Sequence, residues 1–219
     1  MSEHHKENFI TKYVFCQDHK MIAKQFLITG MFMAVVGMLM SAIFRVQLAN
    51  PGEGSILYNL LPGAWLNDSG GLNPDKYLAL VTMHGTILVF WVLTAGLSGT
   101  FANFLIPLQI GARDMASGFL NMLSYWFFFI ATVVLMSSLF VESGPASGGW
   151  TIYPPLSALP QAIAGSGTGM TLWLISITLF VVGSLLGGLN YIVTILNLRT
   201  IGMTMKRLPL TVWALLITA

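Results

Sequence analysis

Four apolar runs, each long enough to cross a bilayer as a helix, constrain the fold of this chain more than any other feature. A hydrocarbon core of about 30 Å needs about 20 helical residues. The runs cover approximately residues 22–48, 78–108, 119–141 and 170–198. A fifth run, 208–219, has only about a dozen residues and is predicted to be the start of a further helix. The sequence therefore predicts an all-α integral membrane protein, a transmembrane helix bundle that is part of a longer polypeptide.

The composition supports a lipid environment and excludes several function classes. Hydrophobic residues make up 55% of the chain and charged residues only 8%, which is too little charge to coat a soluble domain. The net charge of +2 is spread over short connections, so no nucleic-acid partner is expected. The single cysteine, Cys16, cannot build a disulfide framework or a cysteine zinc site within the chain.

The distribution of basic residues predicts the orientation. Residues 1–21 form a polar tail and not a signal peptide, because the apolar run that follows is too long. This tail and every second connection after it carry the basic residues, whereas the other connections carry only Lys76. Cytoplasmic connections collect Lys and Arg, so the N-terminus is predicted to be cytoplasmic. The basic residues of the cytoplasmic set are Lys6, Lys12, Lys20, Lys24, Arg113, Arg199, Lys206 and Arg207.

The two connections on the opposite side, residues 49–77 and 142–169, are long and rich in Gly, Pro and Ser. Their aromatic residues Trp65, Trp150 and Tyr153 are suited to a membrane-interface belt. We expect these connections to form ordered caps under a partner.

His84 is a candidate functional residue because it falls inside the second apolar run. His4, His5 and His19 are predicted to lie in the soluble tail. A histidine within the membrane needs a partner, which could be an interhelical hydrogen bond, a proton relay or a metal. The next residue, Gly85, leaves space for a flat macrocycle beside the imidazole, which favours a haem ligand.

Arg45 lies near the outer end of the first run, at about the depth predicted for His84. Its side chain could simply extend to the interface and place its charge in water. Alternatively, its guanidinium could donate to a polar substituent of a cofactor and raise the reduction potential of that cofactor.

Asp114 lies in the second cytoplasmic connection, directly after Arg113. The two residues could form an ordinary exposed ion pair, worth under about 1 kcal/mol. A different interpretation joins Asp114 to polar residues within the spans, which could hold a file of waters and carry protons from the cytoplasm. These residues are Asn103, Asn121, Ser184 and Asn190.

Several strings, in one order along the chain, resemble subunit I of the haem-copper oxidase superfamily. The resemblance covers nearly all of the chain after Ile22, and its many separate motifs make it specific. The strings are Thr82-Met83-His84-Gly85-Thr86, then FANFLIPLQIGARDM, LNMLSYW, GWTIYPPL in the second long connection, and GLNYIVT in the fourth span.

The resemblance implies a role for each candidate residue within a twelve-helix type of subunit. His84 would be an axial ligand of a low-spin haem, and in the aa3-like branch Arg45 would meet the formyl group of haem a. Trp150 and Tyr153 would lie near the haem propionates, where a packing role is an alternative. The proton pathway of the D type would contain Asp114, Asn103, Asn121, Ser184 and Asn190.

Two positions depart from the family pattern. Met122 follows Asn121 where many members have paired asparagines, and Gly183 replaces one of two serines in the fourth span. Gly183 also forms a G-x-x-x-G pattern with Gly187, which is typical of close helix packing. A high-spin haem, copper and their ligands would belong to later helices.

As a member of this family, the chain would belong to a cytochrome c oxidase of a bacterial plasma membrane. Electrons would pass from cytochrome c, or a membrane-bound cytochrome donor, through subunit II to the haems and dioxygen, coupled to proton pumping. Subunit III and a respiratory supercomplex are further expected partners.

Four alternatives are weighed against this function. A quinol oxidase would have Arg, Asp and His where this chain has Val36, Met40 and Lys76. Nitric oxide reductases normally lack the D-type pathway. A proton-coupled transporter should show broken helices in paired repeats, which are not found in the sequence. A purely structural anchor would not explain the intramembrane His, Arg and amides.

Overall fold

The computed structural model describes residues 9–51 and 55–219. Four helices are long and apolar enough to cross a membrane: α1 (His19–Ala49), α2 (Pro74–Ile110), α3 (Gly118–Phe140) and α4 (Thr168–Asn197). A shorter helix, α5 (Leu210–Thr218), follows. The described residues contain no β-strand, and the prediction of an all-α membrane protein is confirmed. His4, His5 and Lys6 of the predicted tail lie outside the described residues.

The first helix begins earlier than the apolar run suggested, and this corrects the prediction for His19. His19 is the first residue of α1 and only 2% of its surface is exposed. The polar residues around it had indicated a solvent-exposed tail. The side chain is instead buried, and its ring nitrogen Nδ1 lies 3.2 Å from the backbone oxygen of Asn103.

The second helix has a clear start, a widened centre and a clear end. Asn73 caps its N-terminus by accepting from the amide of Asp75 at 3.2 Å, and Pro74 occupies the first helical position. The segment Ile87–Ser98 is π-helical, a form that is rare and often found at functional sites. Gly111 ends the helix in the left-handed conformation at φ +73°.

The described residues divide into two compact units, which are considered separately. Unit 1 comprises residues 9–29, 94–129 and 179–219, and unit 2 comprises residues 30–51, 55–93 and 130–178. Each unit has its own buried apolar side chains. Those of unit 1 include Ala102, Ile106, Ile110, Met115, Ile195, Leu208 and Val212, and those of unit 2 include Met33, Met83, Ile87, Trp91 and Leu135.

Close helix packing in unit 1 depends on Gly183, as the G-x-x-x-G pattern indicated. A Cβ atom at this position would lie 2.9 Å from the backbone oxygen of Ser124 and 3.2 Å from Cβ of Phe127. Helices α3 and α4 therefore approach each other here at a distance that a side chain would prevent.

Polar contacts fix the long connections of unit 2. The side-chain oxygen Oε1 of Gln47 accepts from the Tyr58 hydroxyl and from the Leu72 amide, each at 2.8 Å. Burial raises the pKa of Tyr58, a phenol that is already neutral at physiological pH, and its hydroxyl remains a donor. In the second connection, the Ser147 hydroxyl donates to the backbone oxygen of Ala164.

Gly165 should be essential to the stability of the second connection. Its φ is +84°, and a Cβ atom would collide with the Pro145 backbone oxygen. We expect Gly165→Ala to destabilise the protein by about 2–6 kcal/mol, since backbone strain and overpacking each cost roughly 1–3 kcal/mol. The thermal unfolding midpoint of the purified protein measures the effect.

The matched control is Gly202→Ala. Gly202 has a φ of +87°, but nothing lies within 4 Å of an added Cβ atom. It should cost only about 1–2 kcal/mol. Equal losses for the two variants would show that the collision with Pro145 is unimportant.

Candidate functional site

In unit 2, the imidazole of His84 is fixed by a backbone carbonyl of the neighbouring span. Nδ1 of His84 lies 2.8 Å from the backbone oxygen of Gly37 in α1. A carbonyl oxygen can only accept, so Nδ1 carries the hydrogen. In the neutral ring, Nε2 then holds a lone pair. The interhelical hydrogen bond and the metal ligand, two alternatives from the sequence, are therefore compatible in the same residue.

Gly37 brings the two helices close enough for this hydrogen bond. A Cβ atom at Gly37 would lie 2.8 Å from Cδ2 of Leu88 and 3.3 Å from Cγ2 of Ile87. Sequence reasoning did not identify Gly37, because a single glycine in an apolar run gives no sign of which helix it faces.

The surroundings of His84 fit a flat, largely apolar group such as haem. A Cβ atom on Gly85 would meet nothing within 4 Å, so the helix surface beside the imidazole is open. Leu78 and Val81, on preceding turns of α2, are 44% and 39% exposed. The Phe44 ring packs edge-on against the imidazole, with ring centroids 5.3 Å apart.

Arg45 is exposed and follows Phe44, which contacts His84. Within the described ranges 9–51 and 55–219, its guanidinium has no hydrogen bond or ion pair. The guanidinium is therefore available either to water or to an anionic or polar group bound beside α1, and both interpretations of Arg45 stay open.

The segment that carries Trp150 is attached to the helix that carries His84. The amide of Gly149 donates to Oγ1 of Thr82 at 2.9 Å, and the Trp150 ring lies 5.5 Å from the Phe90 ring, measured between centroids. Trp150 is still 56% exposed. Tyr153 is 72% exposed and, in the part of the chain that the structure describes, its hydroxyl has no hydrogen-bond partner.

In unit 1, Asp114 lies at the N-terminal end of α1. Its oxygen Oδ1 accepts from the Met115 amide at 2.7 Å and from the His19 amide at 3.3 Å. A carboxylate is stabilised at this end of a helix dipole. No ion pair joins it to Arg113 among the described side chains, so the ordinary ion pair weighed in the sequence analysis is not formed.

Asn103 is fully buried and lies between His19 and Tyr191. Its Nδ2 donates to the Gly99 backbone oxygen at 2.7 Å and to the Tyr191 hydroxyl at 3.1 Å. Its Oδ1 has no hydrogen-bond partner in the protein. His19 and Tyr191 are neighbours that sequence reasoning missed, although Tyr191 follows directly after Asn190.

Asn121 is also fully buried, and neither atom of its amide group has a protein partner. Leaving such groups without partners costs about 1–3 kcal/mol each, so buried amides of this kind typically bind ordered water. The backbone oxygen of Asn121 accepts from the Ser124 hydroxyl at 2.7 Å.

Unit 1 also contains a cavity of about 460 Å³ that Asp114, Asn103 and Asn121 do not line. Ser184 lines it, together with Ser124 and the Tyr191 side chain that binds Asn103. Asn190 differs, because both polar atoms of its side chain bind the backbone of Ser117. The structure therefore groups Ser184 with the cavity and Asn190 with a backbone segment.

The fold and the two sites define a multi-pass membrane protein with a histidine fixed at Nδ1 in one unit and a group of buried amides in the other. The family model described as "Cytochrome C and Quinol oxidase polypeptide I" matches residues 21–219. The chain belongs to this family of haem-copper oxidase subunits I, as its motifs predicted.

Three relatives illustrate the similarity. The chain is 43% identical over 212 residues to an alternative cytochrome c oxidase subunit 1 of Bradyrhizobium diazoefficiens, which covers 97% of the chain and 33% of the relative. It is 39% identical to cytochrome c oxidase subunit 1 of Candida albicans, over 97% of the chain and 36% of the relative. It is 36% identical to a putative cytochrome c oxidase subunit 1-beta of Streptomyces avermitilis, over 96% of the chain and 34% of the relative. The chain thus spans about a third of the length of these relatives.

The contact between Thr82 and Gly149 gives a prediction for the second connection. Thr82→Val keeps the shape of the side chain but removes the acceptor, so hydrogen exchange of the Gly149 amide should accelerate about tenfold. Mass spectrometry of the purified oxidase measures this rate. Thr82→Ser, which keeps the hydroxyl, should show the original rate, and unchanged exchange in Thr82→Val would contradict the contact.

Proposed function

We propose that this chain forms part of subunit I of a terminal respiratory oxidase that transfers electrons from cytochrome c to dioxygen and translocates protons. The observation that carries the proposal is the hydrogen bond of the His84 imidazole, whose Nδ1 is fixed by the Gly37 carbonyl, so that Nε2 of the neutral ring keeps a lone pair that can bind a metal. The names of the relatives, cytochrome c oxidase subunits 1, support the same reaction.

The residues around His84 would hold a low-spin haem a. When bound, this group accepts and passes on single electrons. Nε2 of His84 would bind the iron, and the hydrogen bond to Gly37 would fix the ring plane and increase the donor strength of Nε2. Arg45 would donate to a polar haem substituent, and Trp150 and Tyr153 would cover the propionate edge.

Copper and a high-spin haem would be held elsewhere in the oxidase. Among the described residues, no cluster of three or more His, Cys, Asp or Glu side chains could bind a metal ion. Subunits II and III, a cytochrome c or membrane-bound cytochrome donor and a respiratory supercomplex are the partners that this function implies. The membrane would be a bacterial plasma membrane, with the N-terminus in the cytoplasm.

Unit 1 would take up protons. Asp114 would collect them at the cytoplasmic surface, and the unpartnered atoms of Asn103 and Asn121 would bind waters that pass them onward. Ser184 and Ser124 would extend this file along the cavity that they line.

A second cavity favours cytochrome c over quinol as the electron donor. This cavity, of about 200 Å³ in unit 2, is lined almost entirely by apolar side chains, including Val36 and Met40. A quinol hydroxyl buried there without a partner would cost about 1–3 kcal/mol. Lys76 is already engaged, since its Nζ lies 3.5 Å from the Ser143 backbone oxygen and 5.8 Å from the Trp65 ring centroid.

Replacing His84 tests the ligand assignment. In the purified oxidase, His84→Gly should abolish the low-spin haem band in the reduced-minus-oxidised spectrum, because the iron loses its nitrogen donor. Added imidazole should restore the band. The wavelength of the wild-type band also distinguishes haem a from haem b.

Thr178→Val is the control, because Thr178 is exposed on α4 and its hydroxyl binds only its own helix, at the Leu174 oxygen. It should keep the full band. A well-assembled His84→Gly oxidase with an unchanged low-spin spectrum would refute the proposal.

Replacing Asp114 tests proton uptake. Asp114→Asn should slow uptake from the cytoplasmic side by about tenfold or more while leaving haem spectra intact, because an amide cannot collect a proton. Stopped-flow measurements in vesicles, with a pH dye on the cytoplasmic side, give the rate. Asp18→Asn is the control, since Asp18 also accepts from an α1 amide, that of Met21 at 3.0 Å, but is not placed in the pathway. Normal uptake and pumping in Asp114→Asn would remove Asp114 from the pathway.

A further inference from the structure

Asn190 and Thr194, one turn apart on α4, bind the backbone of the segment that connects α2 to α3. Oδ1 of Asn190 accepts from the Ser117 amide at 2.9 Å, and Nδ2 donates to the Ser117 oxygen at 3.1 Å. Oγ1 of Thr194 accepts from the Ala116 amide at 2.9 Å. Both side chains are buried, at 2% and 0% exposure. Two successive residues of the connection are therefore held from α4.

These contacts distinguish Asn190 from the other amides of unit 1. Asn121 has no protein partner for either amide atom, and Oδ1 of Asn103 has none. In Asn190 both side-chain heteroatoms bind backbone groups, and the Thr194 hydroxyl also donates to the Asn190 backbone oxygen at 2.6 Å. Such a pattern is typical of a residue that fixes a chain segment, whereas unpartnered amides are suited to binding water.

The segment held by Asn190 and Thr194 carries Asp114. Its carboxylate depends on two amides, those of Met115 and His19, which are set by the position of this segment at the start of α1. On the other side of Asp114, the Thr200 amide donates to the Ile110 oxygen at 2.9 Å. The connection is thus attached to the C-terminal part of α4, and to the residues just after it, on both sides of Asp114.

We propose that Asn190 and Thr194 are positioning residues that hold Asp114 at the proton entrance. The proposal rests on the role of Asp114 in proton uptake. It predicts that loss of either side chain affects proton uptake only through movement of residues 114–117.

The test compares backbone exchange with proton uptake in the assembled oxidase. Thr194→Val keeps the shape of the side chain but removes the acceptor, so exchange of the Ala116 amide should rise about tenfold and proton uptake should slow severalfold. Thr194→Ser, which keeps the hydroxyl, should show the original exchange rate at Ala116 and the original rate of proton uptake. Asn190→Ala should accelerate exchange at Ser117, with the same slowing of uptake, and Thr194→Val keeps the test decisive if Asn190→Ala does not assemble.

Ser184→Ala is the matched control. It removes a hydroxyl from the same helix and from the cavity, but no hydrogen bond joins it to residues 114–117 within the described ranges, so exchange at Ala116 and Ser117 should stay unchanged. Slowed uptake in Asn190→Ala or Thr194→Val with unaltered backbone exchange would overturn the proposal, because the residue would then act on protons directly. Faster exchange with unaltered uptake would overturn it as well. Failure of Asp114→Asn to slow uptake would instead refute the proposed function of Asp114.

Discussion

The hydrogen bond from Nδ1 of His84 to the Gly37 carbonyl is the interaction on which the candidate haem site depends. An imidazole in lipid needs a partner, and this one uses only the nitrogen that a metal does not need. The bond requires α1 and α2 to approach closely, and the missing side chain of Gly37 permits that approach. One glycine therefore permits the close packing of two spans and supplies the carbonyl that sets the tautomer of the His84 imidazole.

The buried polar side chains of unit 1 differ in how completely their hydrogen-bonding groups are paired within the protein. In unit 1, Asn190 and Thr194 use their side chains on backbone groups, whereas Asn121 keeps a donor and an acceptor unpartnered. Burial alone does not make this distinction, since Asn121 and Asn190 are almost equally inaccessible. Whether a buried amide binds the backbone or is left to bind water depends on whether a protein group lies within hydrogen-bonding distance.

Hydropathy and motif spacing were sufficient to predict the four spans, the family and the candidate residues. They could not identify Gly37 or Tyr191 as partners, because contacts between helices depend on the helix that lies opposite, which local sequence does not encode. His19 was misplaced for a related reason. The polar residues around it indicated solvent, yet its ring lies against Asn103 and is buried. Likewise, the local sequence around Asn121 and Asn190 does not predict that only Asn190 has backbone hydrogen-bond partners for its amide.

The buried polar side chains of unit 1, among the described residues, are amides, hydroxyls and the imidazole of His19, without a buried carboxylate. Amides and hydroxyls do not change charge in the physiological range, so these side chains can orient waters without holding a proton themselves. Protons that travel here would therefore move from water to water, with the amides and hydroxyls as fixed hydrogen-bond partners.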